Sequence, residues 1–309
     1  MTTNMQLEPS ANIVRPTGEA MRLSENVQRI GLNIELSRFV HPYFNANAWL
    51  LANDKHALLI DTASNGNEDG ERVADFVAQS GRALHAIVLS HGHPDVFFGI
   101  KALRKRFPGA RVLVAKSEIG DDIVAMAKTM EQFGMLPSPD LSATTTDYRA
   151  LLEVMPAEGV SLPGSPEVSF KPWVTPGPSE FTRLTCLWSE SLQTLFASDL
   201  AYNHVHAWAG MGVDRASLLN WLSYLDGVIA AHPGPHVRVL TGHGPATDGN
   251  VLLAQRGYVG DLLRLLDTGV RGDALEAEMK KRYPGHAGAS FQLHMTATNP
   301  AWTCAEVGP

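Results

Sequence analysis

The sequence predicts an α/β protein of four layers, in which two β-sheets pack face to face and helices cover both outer surfaces. Two observations carry this reading. The first half alternates short apolar strands with helix-spaced apolar stripes, the signature of a layered sheet. The second half also opens with strands and ends with helices, and no linker or low-complexity stretch separates the halves. With 309 residues, 44% of them hydrophobic, the chain can bury a large core. The expected organisation is a flexible arm over residues 1–20 and one domain over 21–309. An insertion or lid is expected near 131–160, and a C-terminal helical extension near 249–285.

The elements follow in order. Ala48-Trp49-Leu50-Leu51 and Ala57-Leu58-Leu59-Ile60 flank Asn53-Asp54-Lys55 and read as a β-hairpin. Val73, Phe76 and Val77 have helical spacing, and Gly81 is placed to cap that helix. Ala86-Ile87-Val88-Leu89 is a buried strand running into Ser90-His91-Gly92-His93. A helix is expected from Phe97 to Phe107, stopped by Pro108-Gly109, then a strand from Val112 to Ala115 and a helix from Glu118 to Met130. Residues 131–160 are poorly periodic. Strands are expected at Val168–Val174, Phe181–Trp188 and Thr194–Ala197. A helix near Ala216–Ala230 carries Leu218, Leu222, Leu225 and Ile229 on one stripe. A strand at Val237–Leu240 and helices near 249–267 and 273–283 complete the chain.

Several functions are disfavoured by composition. The chain has 25 Lys and Arg against 32 Asp and Glu, with no basic run of the kind a nucleic-acid surface needs. Its apolar runs are strand-sized, far below the roughly 20 residues that span a bilayer. Met1–Arg15 lacks the apolar stretch of a secretory signal, and the two cysteines, Cys186 and Cys304, are far apart. The expectation is a cytoplasmic protein, with a small-molecule substrate as its partner rather than nucleic acid or membrane. A homodimer contact through the C-terminal helices is the other partner considered.

Ligand-type residues collect at three strand ends, where α/β sheets bind their ligands. The first is His91-Gly92-His93-Pro94-Asp95, the second Phe196-Ala197-Ser198-Asp199, and the third Leu240-Thr241-Gly242-His243-Gly244. Neutral imidazoles and carboxylates suit zinc or iron, and a tight turn lets a His-x-His pair and the Asp converge.

In order and spacing these segments resemble the metallo-β-lactamase superfamily over roughly residues 45–250. Asn47-Ala48-Trp49-Leu50 and Leu59-Ile60-Asp61-Thr62 match as supporting pieces, with Asp61 read as holding a turn. The resemblance implies the αββα sandwich and two adjacent metals. One would be held by His91, His93 and the histidine of a Gly-His turn. The other would take Asp95, the last motif histidine and His243, with Asp199 bridging both. The chain departs from the pattern twice: Val96 stands at the last motif histidine and Pro178 at the Gly-His histidine. Each half therefore loses one donor, leaving His91, His93 and Asp199 on one side and Asp95, Asp199 and His243 on the other. Such sites lie only about 3.5–4 Å apart, so they are alternatives in nearly the same space. The expected cofactor is one weakly held zinc, with iron or manganese as substitutes, or no metal at all.

The expected activity is hydrolysis of a small, largely apolar or aromatic molecule such as an ester or lactone. Asp95, His93 and His243 are the candidate catalytic groups. His206, Asn203, Trp208, Phe97, Trp173, Tyr43 and Phe44 are the candidate substrate-pocket residues. Phe98 and Phe181 are expected to pack the core, and His41 and His85 to be structural. Two rival readings remain. One is a metal-independent lyase, isomerase or hydrolytic dehalogenase using the Asp and His groups as acid and base. The other is a non-catalytic module that only binds a small molecule.

Overall fold

The structure, a computed structural model, describes residues 27–303; the arm expected at 1–20 lies outside the described residues. The first sheet has seven strands in sequential order: β1 (Gln28–Gly31), β2 (Ile34–Val40), β3 (Asn47–Ala52), β4 (His56–Ile60), β5 (Ala83–Leu89), β6 (Arg111–Val114) and β7 (Glu153–Val154). β1 to β4 pair antiparallel, while β4 to β7 pair parallel. The second sheet runs β13 (Thr247–Asp248), β12 (Arg238–His243), β11 (Thr194–Tyr202), β10 (Thr185–Ser189), β9 (Ser165–Val174), β8 (Val160–Leu162). Only its β11–β12 pair is parallel. The expected hairpin forms, with Trp49 opposite Ile60 and Ala52 opposite Ala57.

Side chains alternate across a strand, and that alternation builds the layers. Trp49, Leu51, Leu58, Ile60 and Val88 face the second sheet, where they meet Val168, Phe170, Leu187, Phe196 and Leu240. Their neighbours Leu50, Leu59, Ile87 and Leu89 point outward. There they pack on Val73, Phe76 and Val77 of α1 (Asn67–Gln79) and, after α2 (Pro94–Phe97), on Leu103 of α3 (Ile100–Arg106) and Ile123 of α4 (Ser117–Gln132). On the far side, Cys186, Leu195, Ala197 and Val239 meet α6 (Arg215–Ala231) and α7 (Asn250–Asp267) through Leu218, Trp221, Leu225, Val259 and Leu262. Strands covered on both faces become continuous apolar runs, which is why β3 and β11 are buried throughout.

Three boundaries differ from expectation. The helix expected at Phe97–Phe107 is broken into α2 and α3 at Gly99, where an added Cβ would stand 2.7 Å from the Cβ of Thr62. The backbone there runs so close to Thr62 and Ser64 that only glycine fits at this position. The strand expected at Phe181–Trp188 begins only at Thr185. The 131–160 segment contributes α5 (Tyr148–Leu151), β7 and the start of β8. It is anchored to the first helical layer by Tyr148 against Phe97 and by Asp140, which accepts from Lys101 and Asn67. In the C-terminal helical extension, α8 (Gly272–Arg282) is followed by a π-helical turn at Ala289–Leu293, then α9 (His294–Ala297) and α10 (Pro300–Thr303). Among the described residues, no helix is long and apolar enough to cross a membrane.

Candidate active site at the strand ends

The site is built at the ends of β5, β11 and β12. Leu89 ends β5, and Ser90 then anchors the following turn: its N–H and its hydroxyl both donate to the buried Asp61 carboxylate, at 2.8 Å each. Ser90 Oγ is also 2.8 Å from His91 Nδ1. Because the serine proton goes to Asp61, its oxygen accepts from Nδ1–H, which leaves His91 Nε2 as the bare nitrogen facing the site. Burial pushes the His91 pKa down to about 3, so this ring is neutral. His93 caps α2 with Pro94 in its first turn, which places Asp95 in that same first turn. His93 and Asp95 side chains are 13% and 17% exposed, so the site opens at these two residues.

Asp199 enters from β11 just after an irregularity at Ser198, whose φ is +50°. Its carboxylate lies directly over β12. A Cβ on Gly242 would stand 1.7 Å from Asp199 Oδ1, so only glycine admits it. Asp199 Oδ2 is 3.6 Å from His91 Nε2, 4.0 Å from His93 Nδ1 and 3.4 Å from His243 Nε2. Tyr202 OH donates to the same oxygen at 3.0 Å. Burial alone would raise the Asp199 pKa, but the charge on His243 outweighs it and holds it well below the usual carboxylate range.

His243 is fixed from both sides. Its Nδ1–H donates to the Phe44 carbonyl at 2.8 Å, and its ring stacks on Tyr202 with centroids 4.7 Å apart. Nε2 lies between Asp199 Oδ2 and Asp95 Oδ2, the latter at 3.5 Å. Burial alone would lower its pKa, but Asp199 and Asp95 outweigh it and push it up to about 9. The matching pieces of β3 hold this turn. Asn47 Nδ2 donates to the Thr241 and Gly244 carbonyls, and Trp49 Nε1 to Thr241.

The spacing-based reading missed Glu180. Pro178 is exposed, whereas Glu180, two residues later, is buried and reaches the site. Its Oε1 is 3.3 Å from His93 Nδ1 and accepts from Tyr202 OH at 3.3 Å, while its buried Oε2 has no hydrogen-bond partner among the described residues. Burial, together with the nearby Asp199 and Asp95 charges, raises its pKa well above the carboxylate range. Donor atoms of His91, His93, Glu180 and Asp199 lie within 4.8 Å of one another. A zinc ion with bonds of about 2.0–2.1 Å sets tetrahedral donors roughly 3.3 Å apart. The observed 3.0 Å between His91 Nε2 and His93 Nδ1, and the 3.3 Å to Glu180, fit that edge length. These side chains therefore suit a divalent ion. The signal available in the sequence was a lone carboxylate in the same turn as the replaced histidine.

The other expected site residues divide. His91, His93, Asp95, Asp199 and His243 come together. Trp208 lies against His93 with centroids 6.0 Å apart, and Phe291 links it to Tyr43 and Phe44. Trp208 Nε1 and Tyr43 OH are buried donors without partners. Phe97, proposed as pocket lining, is instead fully buried against Phe98 and Tyr148. Trp173 sits across from Tyr224 and lines a different cavity of about 320 Å³ with Cys186 and Trp188. Asn203 braces the His243 turn, its N–H donating to the His243 carbonyl and its Nδ2 to Pro245. His206 is buried with Nδ1 3.0 Å from Tyr258 OH. Phe181, expected in the core, lies with its ring 4.4 Å from that of His93 and 5.4 Å from that of His91. It escapes the strand pattern because β10 starts four residues later.

Known proteins agree with this architecture. A solved β-lactamase domain protein from Burkholderia ambifaria superposes with a TM-score of 0.61 at 17% identity, covering 94% of this chain and 93% of that one. A metallo-β-lactamase from Pontibacter korlensis gives 0.54 at 16% identity, over 76% and 99% of the two chains. Among curated proteins, a hydroxyacylglutathione hydrolase of Aeromonas hydrophila is 38% identical over 72 residues, 23% of this chain and 26% of that protein. A probable metallo-hydrolase of Streptococcus pyogenes is 30% identical over 109 residues, 30% of this chain and 45% of that protein. The matched region is thus under half the length of either relative. The family model for the metallo-beta-lactamase superfamily matches residues 41–286. With its three ligand-bearing strand ends set in two sheets between helical layers, the chain belongs to the metallo-beta-lactamase superfamily.

Proposed function

We propose that the chain hydrolyses a small, largely apolar or aromatic organic molecule with an ester, lactone or similar acyl bond, using at most one divalent ion. The observation that carries this reading is the convergence of His91, His93, Asp95, Asp199 and His243 in one opening. An unused pocket has no reason to keep two carboxylates and three imidazoles so close together. Aromatic rings at the rim support the substrate class: Trp208 and Phe181 pack on His93, with Phe291, Tyr43 and Phe44 continuing the wall. The unpartnered Trp208 Nε1 and Tyr43 OH suit an acceptor oxygen on the substrate.

When bound, a divalent ion supplies Lewis acidity toward the scissile carbonyl and lowers the pKa of water. The chain supplies the rest. Asp95, at the open edge, takes a proton from the attacking water. His243, held as an imidazolium between two carboxylates, gives a proton to the leaving group. Asp199 orients His243, Ser90 orients His91, and the aromatic wall excludes bulk water.

The test is turnover of phenyl acetate, naphthyl acetate and dihydrocoumarin by protein purified without chelator. Activity is expected, and Asp95→Asn should lower kcat by about 10²–10⁴-fold. No turnover above background, or an Asp95→Asn variant as active as the wild type, would overturn the reading. Ester turnover that survives chelation and still needs His243 would favour hydrolysis by metal-independent acid–base chemistry. The imidazolium between Asp95 and Asp199 needs no ion to move a proton.

A further inference from the structure

We propose that Glu180 is a metal ligand that takes the place of the missing turn histidine, so that one divalent ion of the zinc, iron or manganese class sits among His91, His93, Glu180 and Asp199 and leaves Asp95 and His243 free. The placement rests on the one-ion hydrolase reading and makes it specific. The two halves of the pocket are then unequal. One half has four protein donors; the other has Asp95, His243 and a share of Asp199.

Three observations point the same way. First, the turn presents residue 180 to the site rather than residue 178. Ser179 N–H donates to the Phe181 carbonyl at 2.9 Å, curling the chain around Glu180, and Pro178 faces solvent. A glutamate reaches the ion position from two residues further along. Second, the Glu180 carboxylate is buried with one oxygen bonded to no group. An isolated buried carboxylate is expensive, and such groups are paired or bind metal. Among the described residues its close partners are Tyr202, which is uncharged, and His93, itself a donor to the ion. Third, the four donor atoms lie within 4.8 Å of one another: the His91–His93 and His93–Glu180 separations of 3.0 and 3.3 Å match a tetrahedral edge, and Asp199, at 3.6 and 4.0 Å from the two histidines, has only a small shift to make to share the same centre. Two carboxylates and two neutral imidazoles also exactly balance a divalent charge.

The competing account is that Glu180 is a protonated structural residue hydrogen-bonded to His93. Glu180→Gln separates the two, because glutamine copies a neutral carboxylic acid but is a poor ligand. Zinc affinity is measured by competition against a chromophoric chelator, with folding checked by circular dichroism. Glu180→Gln should weaken zinc binding on the order of 100-fold, at the upper end of what loss of an outer-sphere partner costs. Asp95→Asn should weaken zinc binding by clearly less than Glu180→Gln does, as befits a residue off the ion. Glu180→His, which restores an imidazole, should recover about 10-fold of the loss. If Glu180→Gln does not fold, Glu180→Asp keeps the charge but withdraws it by one methylene, and should show the same weakening. A Glu180→Gln or, in that case, Glu180→Asp variant binding zinc as tightly as wild type would overturn the proposal. So would an Asp95→Asn loss as large as that of the Glu180 variant. Ester turnover is scored separately: hydrolysis with zinc binding indifferent to Glu180 sinks only the ligand, and zinc bound as described without turnover sinks only the hydrolase.

Discussion

Raising the pH of the ion-free protein should cost it stability, chiefly through His243. Its Nε2 lies 3.4 Å from Asp199 Oδ2 and 3.5 Å from Asp95 Oδ2, and its Nδ1–H is tied to the Phe44 carbonyl. Burial opposes the charge, but the two carboxylates win and hold the folded pKa at about 9, against 6.5 for the free side chain. A folded pKa above the unfolded one gives stability that is fully present below about pH 6.5 and lost as pH rises through about 9. At 1.36 kcal/mol per pH unit, the gap corresponds to about 3 kcal/mol. For a chain of 309 residues that is a fall of roughly 5 °C in Tm. Glu180 acts in the same direction, since a raised carboxylate pKa also makes the folded state bind more protons than the unfolded one; its effect begins at lower pH. The assay is urea unfolding of chelator-treated protein at intervals from pH 6 to 9.5, for wild type and His243→Asn. The wild type should lose stability across pH 6.5–9, and the variant should lose much less over that window, because His91 and His206, buried as neutral rings, tilt the curve the other way near pH 6.5. Stability that is constant or rises from pH 6.5 to 9, or an equal slope in His243→Asn, would refute the reasoning.

Other outcomes follow from the same contacts. Gly242→Ala places a methyl 1.7 Å from Asp199 Oδ1 and must displace that carboxylate. It should destabilise the apo protein by about 1–3 kcal/mol and weaken zinc binding at least about 10-fold, read by urea unfolding and chelator competition. Ser90→Ala removes the hydroxyl that joins Asp61 to His91. Leaving Asp61 with one donor fewer should cost about 1–3 kcal/mol, and freeing the His91 ring should weaken zinc binding by about 10–100-fold.

Much of this was legible in the sequence because it depends on local pattern. Strand ends carrying His91, His93, Asp95, Asp199 and His243 are read directly, since strands buried on both faces are continuous apolar runs with abrupt polar ends. The Trp49 and Asn47 pieces looked structural and are, because they stitch the two sheets at Thr241. What escaped depended on the third dimension. Loss of the histidine at Pro178 looked symmetrical with loss at Val96. Spacing could not show that the turn points residue 180 inward, nor that Phe181 leaves the strand to pack on His93. Phe97 was misplaced for a related reason: proximity to the motif in sequence put it near the pocket, while one helical turn carried it into the core. Asn203 and His206 follow Asp199 closely, but the irregular end of β11 turns Asn203 to the His243 loop and His206 to Tyr258.

The most direct test of a single-ion site is a crystal structure grown with zinc, with data collected at the zinc edge. One anomalous peak per chain is expected, about 2.0–2.2 Å from His91 Nε2, His93 Nδ1 and carboxylate oxygens of Glu180 and Asp199. Two peaks about 3.5–4 Å apart, or one peak held by Asp95 and His243, would contradict it.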